Sequence, residues 1–206
     1  LLPETLAAMQ RLRDAGFGIV PVTGGCAGWC DMMARTWPVE AVIGENGAFY
    51  IHPQADGRLT YRHWNPAMEQ RHHQARLLDI AADALEANPR LHLAKDQNYR
   101  LADVAIDYNQ DVSGIRPDEV AAVVRLFEEN GANARPSSIH VNAWIGEYDK
   151  KSMALLLLSE VFGLDGAAVR EQVIFSGDAP NDEPMFAYFP FSIGVANIRP
   201  HLDGLI

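Results

Sequence analysis

Positive charge is in short supply in this sequence. Against 27 aspartates and glutamates stand 17 lysines and arginines, a formal net charge of −10 over 206 residues. Non-specific nucleic-acid binding needs a basic face, so that class of partner is not expected. Cysteine is nearly absent, with only Cys26 and Cys30. A helix would set both on one side, but no second Cys/His pair stands at ligand spacing and no secretory signal is visible. They read as two small buried thiols rather than a disulfide or half of a metal site, and a reducing cytoplasm is the expected setting. No apolar run reaches the length of a membrane-spanning helix. Internal repeats and low-complexity stretches are missing too. What remains is 48% hydrophobic and 21% charged, enough for a real core in one domain or a domain with a sizeable insert.

The pattern along the chain changes twice. Leu2, Leu6, Met9 and Leu12 fall at helical spacing, with Pro3 in the first turn and Gly16 as the stop. The run 17–22 predicts a buried parallel strand, a second helix follows to about Trp37, and 39–43 predicts another strand. This alternation is that of an open α/β sheet. The middle differs. Short strands at 49–51 and 59–62 flank a turn at Asp56-Gly57, and a long helix runs from Pro66 to about Ala87 with Asn65 as cap. A strand over 101–108, a helix over 117–130 stopped by Gly131, and an alternating strand over 138–144 complete a mixed α+β layer. The last part returns to the first pattern: a leucine-rich helix over 151–162, a strand at 173–176, a short helix to Tyr188 and a strand at 191–195. The expected architecture is an α/β, Rossmann-like parallel-sheet core, residues 1–48 and 146–206, with an inserted α+β cap domain, residues 49–145. The first residue is Leu1 and the chain opens directly on a helix, so both ends look cut.

Three segments carry chemistry. Gly177-Asp178-Ala179-Pro180-Asn181-Asp182 follows an apolar strand, which puts Asp178 at a carboxyl strand end, where open α/β sheets bind ligands. Two carboxylates and an amide in one turn offer hard oxygen donors of the kind Mg²⁺ takes; an acidic turn that merely caps the next helix would use the same residues. Thr23-Gly24-Gly25 sits between a strand and a helix. Its hydroxyl and free backbone N–H groups suit a phosphate, and Thr23 as a plain N-cap is the other reading. Asp149-Lys150-Lys151 places cations at a helix start, which the helix dipole disfavours unless an anion sits there; a solvated charge cluster is the alternative.

Taken in order, the Thr, the Lys and the Gly-Asp-x-x-Asn-Asp segment, with an α+β insert between the first two, resemble the haloacid dehalogenase-like phosphatases. The likeness is to the branch whose cap lies between the second and third motifs, with sucrose-phosphate and mannosyl-phosphoglycerate phosphatases. Gly44-Glu45-Asn46-Gly47-Ala48, just ahead of the insert, is similar to that branch as well. The resemblance implies a phosphoric monoester hydrolase with Mg²⁺ as cofactor. It implies that Thr23 bonds the transferring phosphoryl group, with Gly24 beside it. It implies that Lys150 neutralises phosphate and nucleophile, that Asp178 ligates the metal, and that Asn181 and Asp182 position Lys150, the metal or its waters. Lys150 is chosen over Lys151 because it directly follows Asp149.

The chain departs from the pattern in two places. Gly25 stands where such families often have arginine. The family's Asp-x-Asp strand, with the nucleophile first and the acid/base second, would precede the opening helix and so lie upstream of Leu1. Asn142, Trp144 and Arg100 are the candidate substrate contacts of the cap: an amide for a sugar hydroxyl, a ring to stack on a sugar face, and a cation for a distal anion. Read one by one, Asn142 and Trp144 are more simply cap-sheet residues, and Arg100 and Lys95 surface charges; His140 shares the Asn142 strand, and His72 and His73 read as surface residues. The expected partner is a small phosphorylated metabolite, a sugar phosphate or glycosyl-phosphoglycerate, bound by a monomer or homodimer without nucleic acid or membrane. A phosphohexomutase and a non-catalytic sugar-phosphate-binding protein are the alternatives.

Overall fold

The computed structural model describes residues 2–178, 180–196 and 198–199. Helix α1 (Pro3–Asp14) starts on its proline and is ended by Gly16 at φ +89°. Residues 17–22, expected as a buried parallel strand, form only a single bridge at Val22 and are exposed or half-buried, and residues 17–23 pair on one side only. Glu40 N–H donates to Ile19 O, Ile43 N–H to Pro21 O, and Thr23 N–H to Ile43 O. Because N–H and C=O of one strand residue point the same way and alternate along it, those of Gly18, Val20 and Val22 point away from this partner. None of them makes a backbone–backbone hydrogen bond among the described residues.

Helix α2 (Ala27–Thr36) buries Cys30 and Ala34, and both cysteines are free and buried. The partner of residues 19–23 is β1 (Val42–Gly44), joined by a parallel bridge between Val22 and Ile43. Its other edge takes β2 (Phe49–Pro53), which pairs in turn with β3 (Leu59–His63), both antiparallel. Phe49 and Ile51 pack with Cys30, Val39 and Val42, while Tyr50 packs with Ile43 and Leu157. The β2–β3 hairpin, which the sequence reading gave to the insert, is therefore hydrogen-bonded into the same sheet as β1. The first strand of the separate sheet comes only later in the chain.

That second sheet belongs to the insert. Helix α3 (Ala67–Ala87) begins after Pro66 at the N-cap, with no side-chain cap; Asn65, expected to cap it, instead lies beside Gly146. Strands β4 (His92–Leu93), β5 (Val104–Asp107), β6 (Asn133–Pro136) and β7 (His140–Trp144) form an antiparallel sheet in the order β4-β5-β7-β6. Helix α4 (Pro117–Glu129) lies with α3 on one face of it. Alternation decides that face. Val104, Ile106, Val141 and Ala143 meet Leu77, Ile80, Val123 and Phe127 in one cluster, and each such side chain contributes about 1.5–3 kcal/mol by leaving water. The opposite face, with Asp103, Asp107, His140 and Asn142, is left for the core.

The chain returns through α5 (Lys150–Phe162). Asp149 caps it, accepting the Ser152 N–H at 2.6 Å, and Gly163 at φ +64° ends it in a left-handed turn. A short helix α6 (Ala167–Gln172) leads to β8 (Ile174–Gly177), and α7 (Glu183–Tyr188) connects that to β9 (Phe191–Gly194), parallel to β8. Among the described residues β8 pairs with β9 alone. The parallel layer is thus in two pieces, residues 19–23 with β1 and β8 with β9. Met153, Ala154 and Leu157 of α5 pack in one cluster with Ile43 of the first piece and with Phe175 of β8. Among the described residues no helix is long and apolar enough to cross a membrane.

Candidate active site

A cavity of about 1040 Å³ opens between these two pieces and runs up against the insert. Its lower walls are residues 17–23 and β8; its floor includes Ala154, Leu157 and Leu158 of α5. All three sequence segments line it: Thr23, Gly24 and Gly25, then Lys150, then Asp178, Asn181 and Asp182.

Each is placed by a local rule. Thr23 ends its extended run by pairing with Ile43, and its Oγ1 accepts the Gly25 N–H at 3.0 Å. That acceptor bond leaves the hydroxyl proton free to be donated. Gly24 is packed under the cap: a Cβ there would stand 3.0 Å from Asn46 Oδ1 and 3.4 Å from Asn142 Oδ1. Lys150 is the first residue of α5 and is buried, 8% exposed, with Nζ 2.6 Å from Asp182 Oδ1. The other Asp182 oxygen accepts the Asp178 N–H at 3.1 Å. One carboxylate thus fixes both the lysine and the backbone of the Asp178 turn. Lys151 lines no part of the cavity among the residues described. The approach of α5 depends on Gly47, at φ +107°, where a Cβ would lie 2.2 Å from the Asp149 carbonyl oxygen.

The turn before Gly47 is unusual. Glu45 and Asn46 hold φ of +45° and +57°, a conformation that costs non-glycine residues free energy. Glu45 offsets that cost by its bonds. Fully buried, its carboxylate accepts the N–H groups of Ala27, Leu101, Ala102 and Asp103 at 2.7–3.2 Å. It thereby ties the start of α2 to the cap loop 100–103. Beside it Asp103, also fully buried, holds Arg100 at 2.9 Å. Arg100 in turn donates to Gly24 O at 2.9 Å and to Asp96 at 3.3 Å. The cap and the Thr23–Gly25 loop are therefore joined by a buried charge cluster.

Burial, followed by the charge of Asp103, pushes the Glu45 pKa up to about 8, against the downward pull of the Leu101 and Ala102 N–H groups and Arg100. A group whose folded pKa is raised binds its proton more tightly in the folded state. Its contribution is complete below the unfolded value and is lost as pH rises through the folded one. The expected outcome is a melting temperature that falls between pH 5 and pH 9, with that part of the slope missing in Glu45→Gln. Equal slopes in thermal melts of both proteins would contradict this.

The other cap candidates are placed differently. Asn142 lines the cavity, buried, with Nδ2 3.4 Å from Asp103 Oδ2. Arg100 lines it too, but as the buried member of the ion pairs above rather than as a surface charge. Trp144 is buried off the cavity wall, and its indole N–H donates to Tyr148 O at 2.9 Å. Lys95 is a surface residue paired with Asp111. His72 is exposed, whereas His73 is half-buried and faces Glu69. The sequence reading passed over Trp29 and Asp96, both on the cavity wall. The helical period shows which side of α2 Trp29 takes, but not that this side meets an opening.

The donor set suits a hard cation in part. Asn181 Oδ1 is buried without a hydrogen-bond partner among the described residues, next to the Asp178 turn. Among those residues no group of three or more His, Cys, Asp or Glu is arranged so that it could hold a metal ion by itself. Asp178 and Asn181 thus fit as a share of a Mg²⁺ shell, which commonly takes one or two carboxylates and completes itself with water and phosphate.

No family model and no curated protein matches the sequence. Solved structures do. A Thermoplasma acidophilum protein superposes with a TM-score of 0.73 at 17% identity, over 100% of this chain and 81% of its own. The sucrose-phosphatase of Synechocystis, solved with sucrose and phosphate, gives 0.67 at 17% identity, over 98% and 78%. A HAD subclass IIB sugar phosphatase gives 0.64 at 12% identity, over 99% and 84%. At such identities the likeness is one of architecture: the chain has the fold of the HAD-type sugar phosphatases.

Proposed function

We propose that this chain is the body of a Mg²⁺-dependent phosphatase that releases phosphate from a small sugar phosphate. The observation that carries this reading is that Thr23, the Lys150–Asp182 pair and Asp178 with Asn181 all line one cavity. These residues come from distant parts of the sequence, and together they offer a hydroxyl donor, a buried cation and hard oxygen ligands. The shared fold of the sugar phosphatases is consistent with it.

The nucleophile in this proposal is an aspartate on a further strand that fills the gap between residues 17–23 and β8. Support comes from the backbone groups of Gly18, Val20 and Val22 that face the gap without backbone partners, an open sheet edge of the kind a further strand pairs with. Exposed Phe17, Ile174 and Ile193, all on the cavity wall, add an apolar lining that a strand would cover. The aspartate carboxylate attacks phosphorus and the ester P–O bond breaks. The departing oxygen takes a proton from the second acid of that strand. Water then cleaves the aspartyl phosphate, yielding inorganic phosphate and restoring the carboxylate. Thr23 Oγ1 donates to a phosphoryl oxygen, and Lys150 neutralises charge as it shifts between ester and carboxylate. Asp182 keeps Lys150 in place. Mg²⁺ bound at Asp178 and Asn181 supplies a further fixed positive charge against the phosphate.

The test is phosphate release by the full-length polypeptide that contains this chain, over a panel of sugar phosphates and phosphoglycerates. Release with Mg²⁺, its loss on adding chelator, and a fall of about 100-fold or more in Asp178→Ala are the expected results. No release from any ester would overturn the reading, and isomerised product without free phosphate would replace it by a mutase.

A further inference from the structure

Where the Thr23–Gly25 loop meets the cap, two buried acids share one buried cation. Glu45 and Asp103 are both fully buried, and the Asp103 N–H donates to Glu45 Oε2 at 3.2 Å. Arg100, whose side chain is 1% exposed, pairs with Asp103 at 2.9 Å. Asp96, the outer partner of Arg100, has a side chain 21% exposed and keeps its charge within reach of water. Inside, then, two carboxylates stand with one guanidinium. A net buried charge is costly, and two interacting acids relieve it by holding one proton between them.

The other titratable groups around the pair do not supply the missing charge. Burial, and next the charge of Glu45, pushes the Cys30 thiol up; burial, and next Asp103, does the same to the Tyr148 phenol. The Cys26 thiol is raised chiefly by burial. His140 is lowered by burial and then by Arg100, so it adds no cation at neutral pH. On α5, which packs against Gly47, Asp149 caps its own helix and Lys150 is paired with Asp182.

The same trio carries bonds from one side of the junction to the other. Glu45 takes the Ala27 N–H from the core and the Leu101, Ala102 and Asp103 N–H groups from the cap. Arg100 of the cap donates to Gly24 O at 2.9 Å. The backbone of the Glu45 turn holds the loop as well, with Glu45 N–H on Gly25 O at 3.2 Å and Asn46 N–H on Thr23 O at 3.1 Å. A change of charge on the trio therefore acts on loop and cap at once.

We propose that Glu45, Asp103 and Arg100 form a proton-held junction: the Thr23–Gly25 loop and the cap close around one proton shared by the two acids, and that proton leaves when the junction parts. Acid keeps loop and cap joined, and alkali lets them separate. The junction works in this way whatever the cavity binds, so it goes beyond the phosphatase reading. The pH window follows from Glu45, raised to about 8 by burial and then by Asp103, against about 4 for a carboxylate in water. Below about pH 4 the shared proton's contribution to the closed junction is complete. It is lost progressively up to pH 8, above which neither the closed nor the parted junction holds the proton.

Two thiols inside the junction report its opening. Cys26 and Cys30 are 1% and 0% exposed; Cys26 precedes the Ala27 N–H that Glu45 holds, and Cys30 Sγ lies 3.7 Å from Gly25 O. The experiment treats the full-length polypeptide that contains this chain with a pyridyl disulfide and follows loss of these two thiols by peptide mass. Dividing the native rate by that of the unfolded chain at the same pH removes the thiolate chemistry and leaves the opening constant. In the unaltered protein this ratio should rise by up to about tenfold per pH unit from pH 5 to pH 8, level off above, and stay indifferent to low urea. Asp103→Asn and Glu45→Gln each leave one acid beside Arg100, and either variant, once folded, should flatten the slope. A flat ratio in the unaltered protein would overturn the proposal. So would a ratio that climbs with urea as steeply as global unfolding, or a slope that survives in a folded variant. If neither variant folds, the slope and urea response of the unaltered protein decide alone.

Discussion

Arg100→Met is expected to lower the free energy of unfolding by about 3–5 kcal/mol, the usual cost of removing one partner from a buried ion pair. The Arg100 side chain is 1% exposed and that of Asp103 is 0%. Without the guanidinium, the Asp103 carboxylate keeps two amide contacts at 3.4 Å, from Asn46 and Asn142, and no counter-charge in that cluster. It would also stand next to Glu45, so one of the two acids must take up a proton or water must enter. The Gly24 carbonyl loses its donor at the same time, which loosens the cap from the Thr23 loop. Urea melts of Arg100→Met and of Arg100→Met with Asp103→Leu separate the causes. The double variant should recover a large part of the loss, because burying neither charge is far better than burying one. A single-variant loss under about 1 kcal/mol would show that the cluster is hydrated and that its pairing matters little.

Lys150→Met should reduce kcat by about 10³-fold under the proposed function, the scale seen when one fixed donor is removed from a charge-stabilising site. Lys150 lines the same cavity as Thr23 and Asp178, and under that proposal its charge acts on the transferring group. Asp182→Asn is expected to be milder, about 10²-fold, because Lys150 keeps its charge but loses the acceptor at 2.6 Å that sets its position. The order of the two variants is the informative result. If Asp182→Asn were the more damaging in kcat, with both proteins folded by circular dichroism at the assay temperature, Asp182 would act on substrate or metal directly rather than through the lysine.

Most helices of this chain were legible because they carry their own evidence: Leu6, Met9 and Leu12 repeat at 3.6, and Val123 and Phe127 mark one side of α4, whereas the short α6 went unread. The candidate site residues stood out in the sequence for a related reason. Thr23, Lys150 and Asp178 lie at strand ends and helix starts, where backbone geometry already suits anions and cations, and their order along the chain is a pattern in itself. By its own periods and punctuation the sequence determined an α/β layer interrupted by an α+β insert, and the identity of the polar groups able to meet at its edge.

Only the tertiary structure decided who meets whom. Alternation shows that His140 and Asn142 share a face, but not that the Gly24 loop lies against it. The β2–β3 hairpin reads the same whether it joins the insert or the edge of β1, since a strand's side-chain pattern does not say which neighbour accepts its hydrogen bonds. Arg100 looked like a surface charge because nothing local to it announces the buried Asp103 or the Gly24 carbonyl. Trp144, read as a candidate ring for a sugar, is buried against Tyr148, while Trp29, not singled out in the sequence, lines the cavity, for the same reason. Local spacing fixes the direction a side chain takes, whereas burial and pairing depend on surfaces brought together from far along the chain, and those contacts leave no periodic mark.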